Sequence, residues 1–312
     1  MQVRKEDITE AYGEELLELG RHVPGFVVLD ADIADSCRTE KFRNAFPEKS
    51  VDLGVAEQSL PTFSAGLALA GKIPFYNSFA VFAVHRGVDM IRQSIAYNNA
   101  NVKIIGHASG QSMGYTGPSH HTIEDLSVLR ALPTMSILCP CDAVEVRKMM
   151  WWMVRHEGPV YLRLTRGKVP VLHTNEYEFE IGNTELLASG SDVGIFSTGD
   201  MTHTALQIRE SLLKIHVHAR VVHVPAVKPL PAGQIVPHGE GTKCGITIED
   251  HNVYGGLGSA VAEIYAEHVQ KPLRRLGIPD RFTESDEGSV LRNAYGLSVK
   301  DGVDAVRELL GL

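Results

Sequence analysis

The chain has 312 residues, enough for two domains of roughly 120 to 180 residues, each with its own core. Hydrophobic residues make up 44% and aromatic residues 7%, the profile of a globular protein rather than a disordered or membrane-spanning chain. A formal charge of -8 with no dense run of Lys and Arg excludes a nucleic-acid surface, while one or two well-placed cations can still bind small anions.

The N-terminus passes from Met1 straight into charged, helix-like sequence without an apolar signal segment, so a cytoplasmic protein is expected. Periodicity then predicts an amphipathic helix over about Ile8 to Arg21 and strands at Phe26–Leu29 and Val51–Leu53. Next come an apolar helix from Gln58 to Ala70, a strand at Ile73–Tyr76, a long helix to about Asn98, and a buried-type strand at Val102–Gly106. Helix and strand alternate as far as Val160–Leu164. From Lys168 to Ser191 the chain reads as irregular and polar, an interdomain linker. A second βα series follows: strand Val193–Ser197, helix Thr202–Ile215, strands Ala219–Val224 and Cys244–Ile248, helix Leu257–His268, a strand near Leu276 and helix Val299–Leu310. The expected architecture is α/β, two consecutive doubly wound domains with mainly parallel sheets. Their bounds are 1–168 and 192–312, with the linker at 169–191 and the second domain the smaller.

Within this frame, Gly54-Val55-Ala56-Glu57-Gln58 places one carboxylate in an apolar stretch after a strand. Phe79, Phe82 and His85 follow at helical spacing, so one helix face is expected to carry all three. A buried acid beside aromatic rings is the equipment for activating thiamine diphosphate, since it can hydrogen-bond the ring nitrogen of the aminopyrimidine and favour its imino form. Alone, a glutamate opening a helix is more simply a charge complementing the helix dipole, and three such ring residues are more simply core. The loop Gly114–His121 sets His120 and His121 between turn residues and a helix start. A histidine there suits either a carbonyl turning into an alkoxide or a plain helix cap.

Other features read more quietly. Gly255-Gly256-Leu257-Gly258 opens a helix but lacks the dinucleotide spacing, and Gly199-Asp200 lacks the residues that complete a magnesium-diphosphate site, so no diphosphate-binding element and no metal site are expected. Cys37, Cys139, Cys141 and Cys244 show no paired ligand spacing and read as reduced, partly buried thiols. His216, His218 and His223 alternate through a β-like stretch without companion ligands and read as surface or packing residues.

Five segments in order resemble the C-terminal half of transketolase, its pyrimidine-binding and C-terminal domains, over nearly the whole chain. They are Gly54–Gln58, Ser78–Phe82, Gly117–His120, Gly158–Arg166 and Glu249–Gly258. The resemblance implies that Glu57 is the acid that activates the cofactor, with Phe82 stacked on the aminopyrimidine and Phe79 and His85 lining the same pocket. It implies that His120 contacts the donor carbonyl and that Asp32 and Ile33 approach the cofactor. It puts His107, Arg166, Ser36 and Arg4 where the family binds sugar phosphate, each able to supply hydrogen bonds or charge. Thr116 stands where many transketolases carry an acid that reads a substrate hydroxyl, which leaves the sugar preference open.

The resemblance also implies a split enzyme. A separate N-terminal subunit would supply the diphosphate site with Mg2+ or Ca2+, thiamine diphosphate would be shared between the chains, and two copies of each would form a heterotetramer acting on sugars or sugar phosphates, with no nucleic-acid or membrane partner. The activity implied is transfer of a two-carbon ketol unit from a ketose to an aldose. Two alternatives stay open: the β-like half of a 2-oxoacid dehydrogenase or deoxyxylulose-phosphate synthase, and a non-catalytic partner subunit.

Overall fold

The computed structural model describes residues 4–312. A short strand, Lys5–Asp7, leads into the helix Ile8–His22. Asp7 starts that helix, because its carboxylate accepts the N–H groups of Thr9 and Glu10 at 2.9 and 3.2 Å, donors that no earlier turn can satisfy. Ile8, Tyr12, Leu16 and Leu19 recur at three- and four-residue spacing and pack against Phe26, Phe42 and Phe75.

Seven strands form the first sheet in the spatial order Ser50–Asp52, Phe26–Asp30, Ile73–Phe79, Lys103–His107, Val160–Arg163, Ser136–Leu138 and Ala226–Lys228. The first six run parallel. Alternate side chains feed two apolar layers: Leu29, Tyr76 and Ile104 enter one, Val28, Phe75 and Ile105 the other, as a sheet covered on both faces requires. The seventh strand comes from far along the chain and pairs antiparallel with Ser136–Leu138. The second sheet runs Leu273–Ile278, Cys244–Asn252, Val193–Ser197, Ala219–His223 and Glu185–Ala188, parallel except for the last strand.

From Phe26–Asp30 the chain crosses to one neighbour, Ser50–Asp52, and then back past it to the other, Ile73–Phe79. The strand order therefore reverses at Asp30 and Phe79, and the crevice outside the carboxyl ends of such strands is where open α/β sheets place ligands.

Most expected elements are present, and Val299–Leu310 matches residue for residue, closed by the Ser298–Asp301 capping box and a left-handed Gly311. Three expectations need correction. The long helix to Asn98 is broken into Ala80–His85, Val88–Met90 and a wide π turn at Ile91–Ala96. The break falls at Gly87, where a β-carbon would meet the Pro61 ring at 2.8 Å; close packing against the helix Leu60–Leu69 overrides continuity. Phe79 is the last residue of a strand, not part of a helix face shared with Phe82. The irregular linker is also partly ordered: Lys168–Pro170 pairs antiparallel with Lys5–Asp7, and Glu185–Ala188 forms the edge of the second sheet. Among the described residues no helix is long and apolar enough to cross a membrane.

Candidate active site

Asp52 organises the approach to Glu57. Its Oδ1 accepts the N–H of Gly54 at 2.9 Å and that of Asp32 at 3.0 Å, and both residues have left-handed backbone, φ 69° and 59°. The turn delivers Glu57 into the fold with only 3% of its surface exposed. Its Oε2 accepts a hydrogen bond from Arg86 Nη1 at 2.7 Å, and the same guanidinium lies 4.1 Å above the centre of the Phe82 ring.

Phe79 and Phe82 converge although one ends a strand and the other rides the following helix; their ring centres are 6.3 Å apart. The His120 imidazole closes the group edge-on, 6.2 Å from Phe79 and 5.2 Å from Phe82. His85 Nε2 faces Glu124 Oε1 at 3.5 Å. Phe79, Phe82 and His120 thus form one aromatic group near the carboxyl end of the strand Ile73–Phe79, and Arg86 ties it to the buried Glu57.

What holds His120 there is a frame that sequence reasoning missed. His121 is buried, with Nδ1 2.9 Å from Thr283 Oγ1 and Nε2 3.1 Å from the carbonyl of Gly114; it anchors the loop to the second half of the chain while His120 points inward. Gly117 is left-handed, and a β-carbon on it would collide with Ser285. Thr116 turns its hydroxyl back to the carbonyl of Met113 at 2.6 Å.

Below the loop Arg163 donates to Asp125 at 2.8 and 3.2 Å and to the carbonyls of Thr122 and Asp250 at 3.1 and 3.0 Å. Tyr161 donates its hydroxyl to the same Asp125 at 2.6 Å. Burial pushes Asp125 up, but the Arg163 guanidinium, aided by His251 and Tyr161, more than offsets this and holds the carboxyl below its usual range. Asp250 accepts the N–H of Gln111 at 3.2 Å and pairs with Arg292, which also reaches Asp200. The signal was available: Arg163 interrupts an apolar strand and Glu249-Asp250-His251 crowds charge into another, and such groups are tolerated inside only when paired.

His107 ends the strand Lys103–His107 and is 1% exposed. Asn77 donates through Nδ2 to the carbonyls of Leu29 and Phe75, so its Oδ1 is an acceptor; it takes the Tyr12 hydroxyl at 2.7 Å and His107 Nε2–H at 3.1 Å. Nδ1 is therefore a bare lone pair, and among the described residues it has no partner. Burial, with the nearby charges of Arg166 and Arg38, drives this imidazole down to about 3. Of the hydrogen bonds or charge expected from His107, the charge is disfavoured by this burial, and Nδ1 is closed off from solvent.

Arg166 is exposed, with Nη1 3.8 Å from Met113 Sδ, and Ser36 and Ile33 are half-buried on the Asp32 segment. Arg4 pairs with Glu6 on the outer ribbon, a contact that does not bring it to His107 or Arg166.

A second buried polar group lies between the two sheets. His223, read from sequence as lacking companions, sits 2.9 Å from Glu145 Oε2 with Cys141 beside it. His173 bridges Asp142 at 3.0 Å and Glu185 at 2.8 Å. These contacts, with Tyr177 donating to Glu145 at 2.8 Å, lock the linker against both sheets. The glycine-led helix Leu257–Ile264 is likewise already served, because Glu249 accepts the N–H groups of Leu257 and Gly258 at 2.7 and 2.6 Å. That carboxylate leaves no place for a phosphate there.

The residues fit a thiamine-type aminopyrimidine on an observation within the chain itself. A flat, edge-donating group, the Arg86 guanidinium, already rests on Phe82 and hydrogen-bonds Glu57. Residues 4–171 match the family model for the transketolase pyrimidine-binding domain, and residues 182–301 that for the transketolase C-terminal domain. The chain is 36% identical to a 6-deoxy-6-sulfo-D-fructose transketolase subunit of Clostridium sp. (strain MSTE9), over 97% of this chain and 94% of that one. It is 35% identical to one subunit of the apulose-4-phosphate transketolase of Phocaeicola vulgatus, over 94% of each. A solved structure described as a split-gene transketolase in an inactive beta4 tetramer superposes with a TM-score of 0.91 at 42% identity, covering 98% of this chain and 99% of that one.

Proposed function

The chain belongs to the transketolase family, and from that premise we propose that it is the C-terminal subunit of a two-chain transketolase, moving a two-carbon ketol unit from a ketose donor to an aldose acceptor. The observation that carries the reading is the buried Glu57 carboxylate, joined through Arg86 to the ring of Phe82, which Phe79 and His120 flank at the carboxyl end of the first sheet's strands. Thiamine diphosphate, when bound, supplies the carbon nucleophile and electron sink that such a transfer needs.

In this reading Glu57 holds a proton against the aminopyrimidine nitrogen, and its burial keeps water from competing for that hydrogen bond. Phe82 offers the stacking face, Phe79 and His85 fill the pocket walls, and Asp32 and Ile33 border it. His120, fixed by the His121 anchor, faces the substrate carbonyl and stabilises oxygen as it gains charge. His107 lies behind the sugar end, Arg166 and Ser36 hold the anionic end of the substrate, and Thr116 replaces a charged acceptor with a neutral one.

A partner subunit would hold the diphosphate with Mg2+ or Ca2+, two copies of each chain forming the assembly. Val55, Phe63 and Leu69, 69%, 44% and 75% exposed, give the Glu57 segment an apolar outer face suited to such a neighbour. All four cysteines are free and buried, which fits a reducing cytoplasm. We propose domain limits at 1–168 and 192–312 with 169–191 between them, although Ala226–Lys228 joins the first sheet and Glu185–Ala188 the second.

The test is reconstitution with a diphosphate-binding chain, thiamine diphosphate and magnesium. Ketol transfer is expected from the pair and not from this chain alone, and Glu57→Gln is expected to lower kcat by about 100-fold or more with the thermal melt retained. Full activity of Glu57→Gln would refute the assignment.

A further inference from the structure

Arg86 occupies the place that the proposed function gives to the cofactor's ring. It follows the last turn of the helix Ala80–His85, just before the break at Gly87, and its side chain is 44% exposed. One nitrogen meets Glu57 at 2.7 Å while the flat guanidinium covers the Phe82 ring at 4.1 Å. An aminopyrimidine stacked on that face of Phe82 and hydrogen-bonded to Glu57 would compete with Arg86 for the ring and for Oε2.

Burial adds to the conflict. Glu57 is 3% exposed, and a carboxylate at that depth needs a hydrogen-bond partner; Arg86 supplies one, in the place that the proposed role of Glu57 gives to a ring nitrogen. We infer that Arg86 is a placeholder: it closes the pyrimidine site of the separate chain, and cofactor loading requires it to leave both Phe82 and Glu57. Its exposed flank and the neighbouring break give it a path into solvent. This rests on the proposed thiamine diphosphate site and adds a residue that competes with the cofactor for it.

The experiment measures thiamine diphosphate affinity by titration calorimetry, with magnesium, on this chain paired with a diphosphate-binding subunit. Arg86→Gln removes the charge and the competing stack, so Kd is expected to fall about fivefold or more. If that variant is too unstable to purify, Arg86→Lys carries the test: it keeps the charge but cannot lie flat, and Kd is expected to fall at least about twofold. Unchanged or weaker binding in the variant measured overturns the placeholder. Absence of binding by the unaltered pair would instead strike the cofactor reading itself. On the separate chain, thiamine followed by NMR is expected to perturb the Phe82 ring in Arg86→Gln and not in the unaltered protein; equal perturbation in both also overturns the inference.

Discussion

Replacing Asp125 by Asn keeps the shape of the side chain and removes its charge, which tests the frame beneath the His120 loop at its centre. Arg163, 8% exposed, would keep the carbonyls of Thr122 and Asp250, at 3.1 and 3.0 Å, and one neutral amide oxygen in place of a charged, two-oxygen acceptor. A guanidinium buried without its carboxylate costs about 3–5 kcal/mol. With an unfolding entropy of about 2 cal/mol/K per residue spread over 312 residues, that loss lowers Tm by about 5–8 °C if the chain melts as one unit. Arg163→Met should cost a similar amount, because it strands Asp125 with the Tyr161 hydroxyl and the distant His251. The pair changed together should lose less than the sum of the two, with a coupling of about 1–3 kcal/mol. Thermal and urea unfolding of the three variants gives the energies. Hydrogen exchange at the His120 amide, which donates to the Gly117 carbonyl at 2.9 Å, should quicken in each single variant. A fall in Tm below about 1 °C for Asp125→Asn, or strictly additive losses, would refute the claim that this pair supports the loop.

Burial alone would push His173 down, but its hydrogen bonds to Asp142 and Glu185 and the charge of Glu145 hold it up at about 10. Being raised above its unfolded value near 6.5, it contributes stability in full below that pH and loses it as pH climbs toward 10. Between pH 7 and pH 10 the urea midpoint of the unaltered chain should therefore fall more steeply than that of His173→Gln; parallel slopes would contradict the charged bridge. Phe82→Ala should raise the thiamine diphosphate Kd of the reconstituted enzyme about tenfold through loss of the stacking face, and calorimetry showing no change would remove Phe82 from the site.

The parts of the fold that were legible are those where one period dominates. Phe26–Asp30 and Val193–Ser197 are buried on both faces and read as apolar runs, and Val299–Leu310 carries a cap at each end. The break at Gly87 was hidden, because its cause is a steric contact with Pro61, 26 residues earlier, and no local pattern records that. The same limit applied to the site. Glu57, Phe79, Phe82 and His120 could be assembled from ordered motifs, although Phe79 sits on a strand end where a helix face was expected. Arg86 and the Asp125–Arg163 pair carry no spacing of their own; their meaning appears only when residues 29 and 38 positions apart come into contact. His107 was found in sequence, but its neutral state depends on burial and on the orientation of Asn77.

The strand Ala226–Lys228 completes the first sheet although it is encoded more than fifty residues beyond that sheet's last parallel strand. A gene truncated at the linker would produce a first half whose Ser136–Leu138 strand is an unsheathed edge, ready to recruit another copy, and a second half with a short strand and no sheet to join. The two halves are thus poor candidates for separate expression. In an exchange with a relative, the incoming second half must bring a strand that fits the edge at Ser136–Leu138.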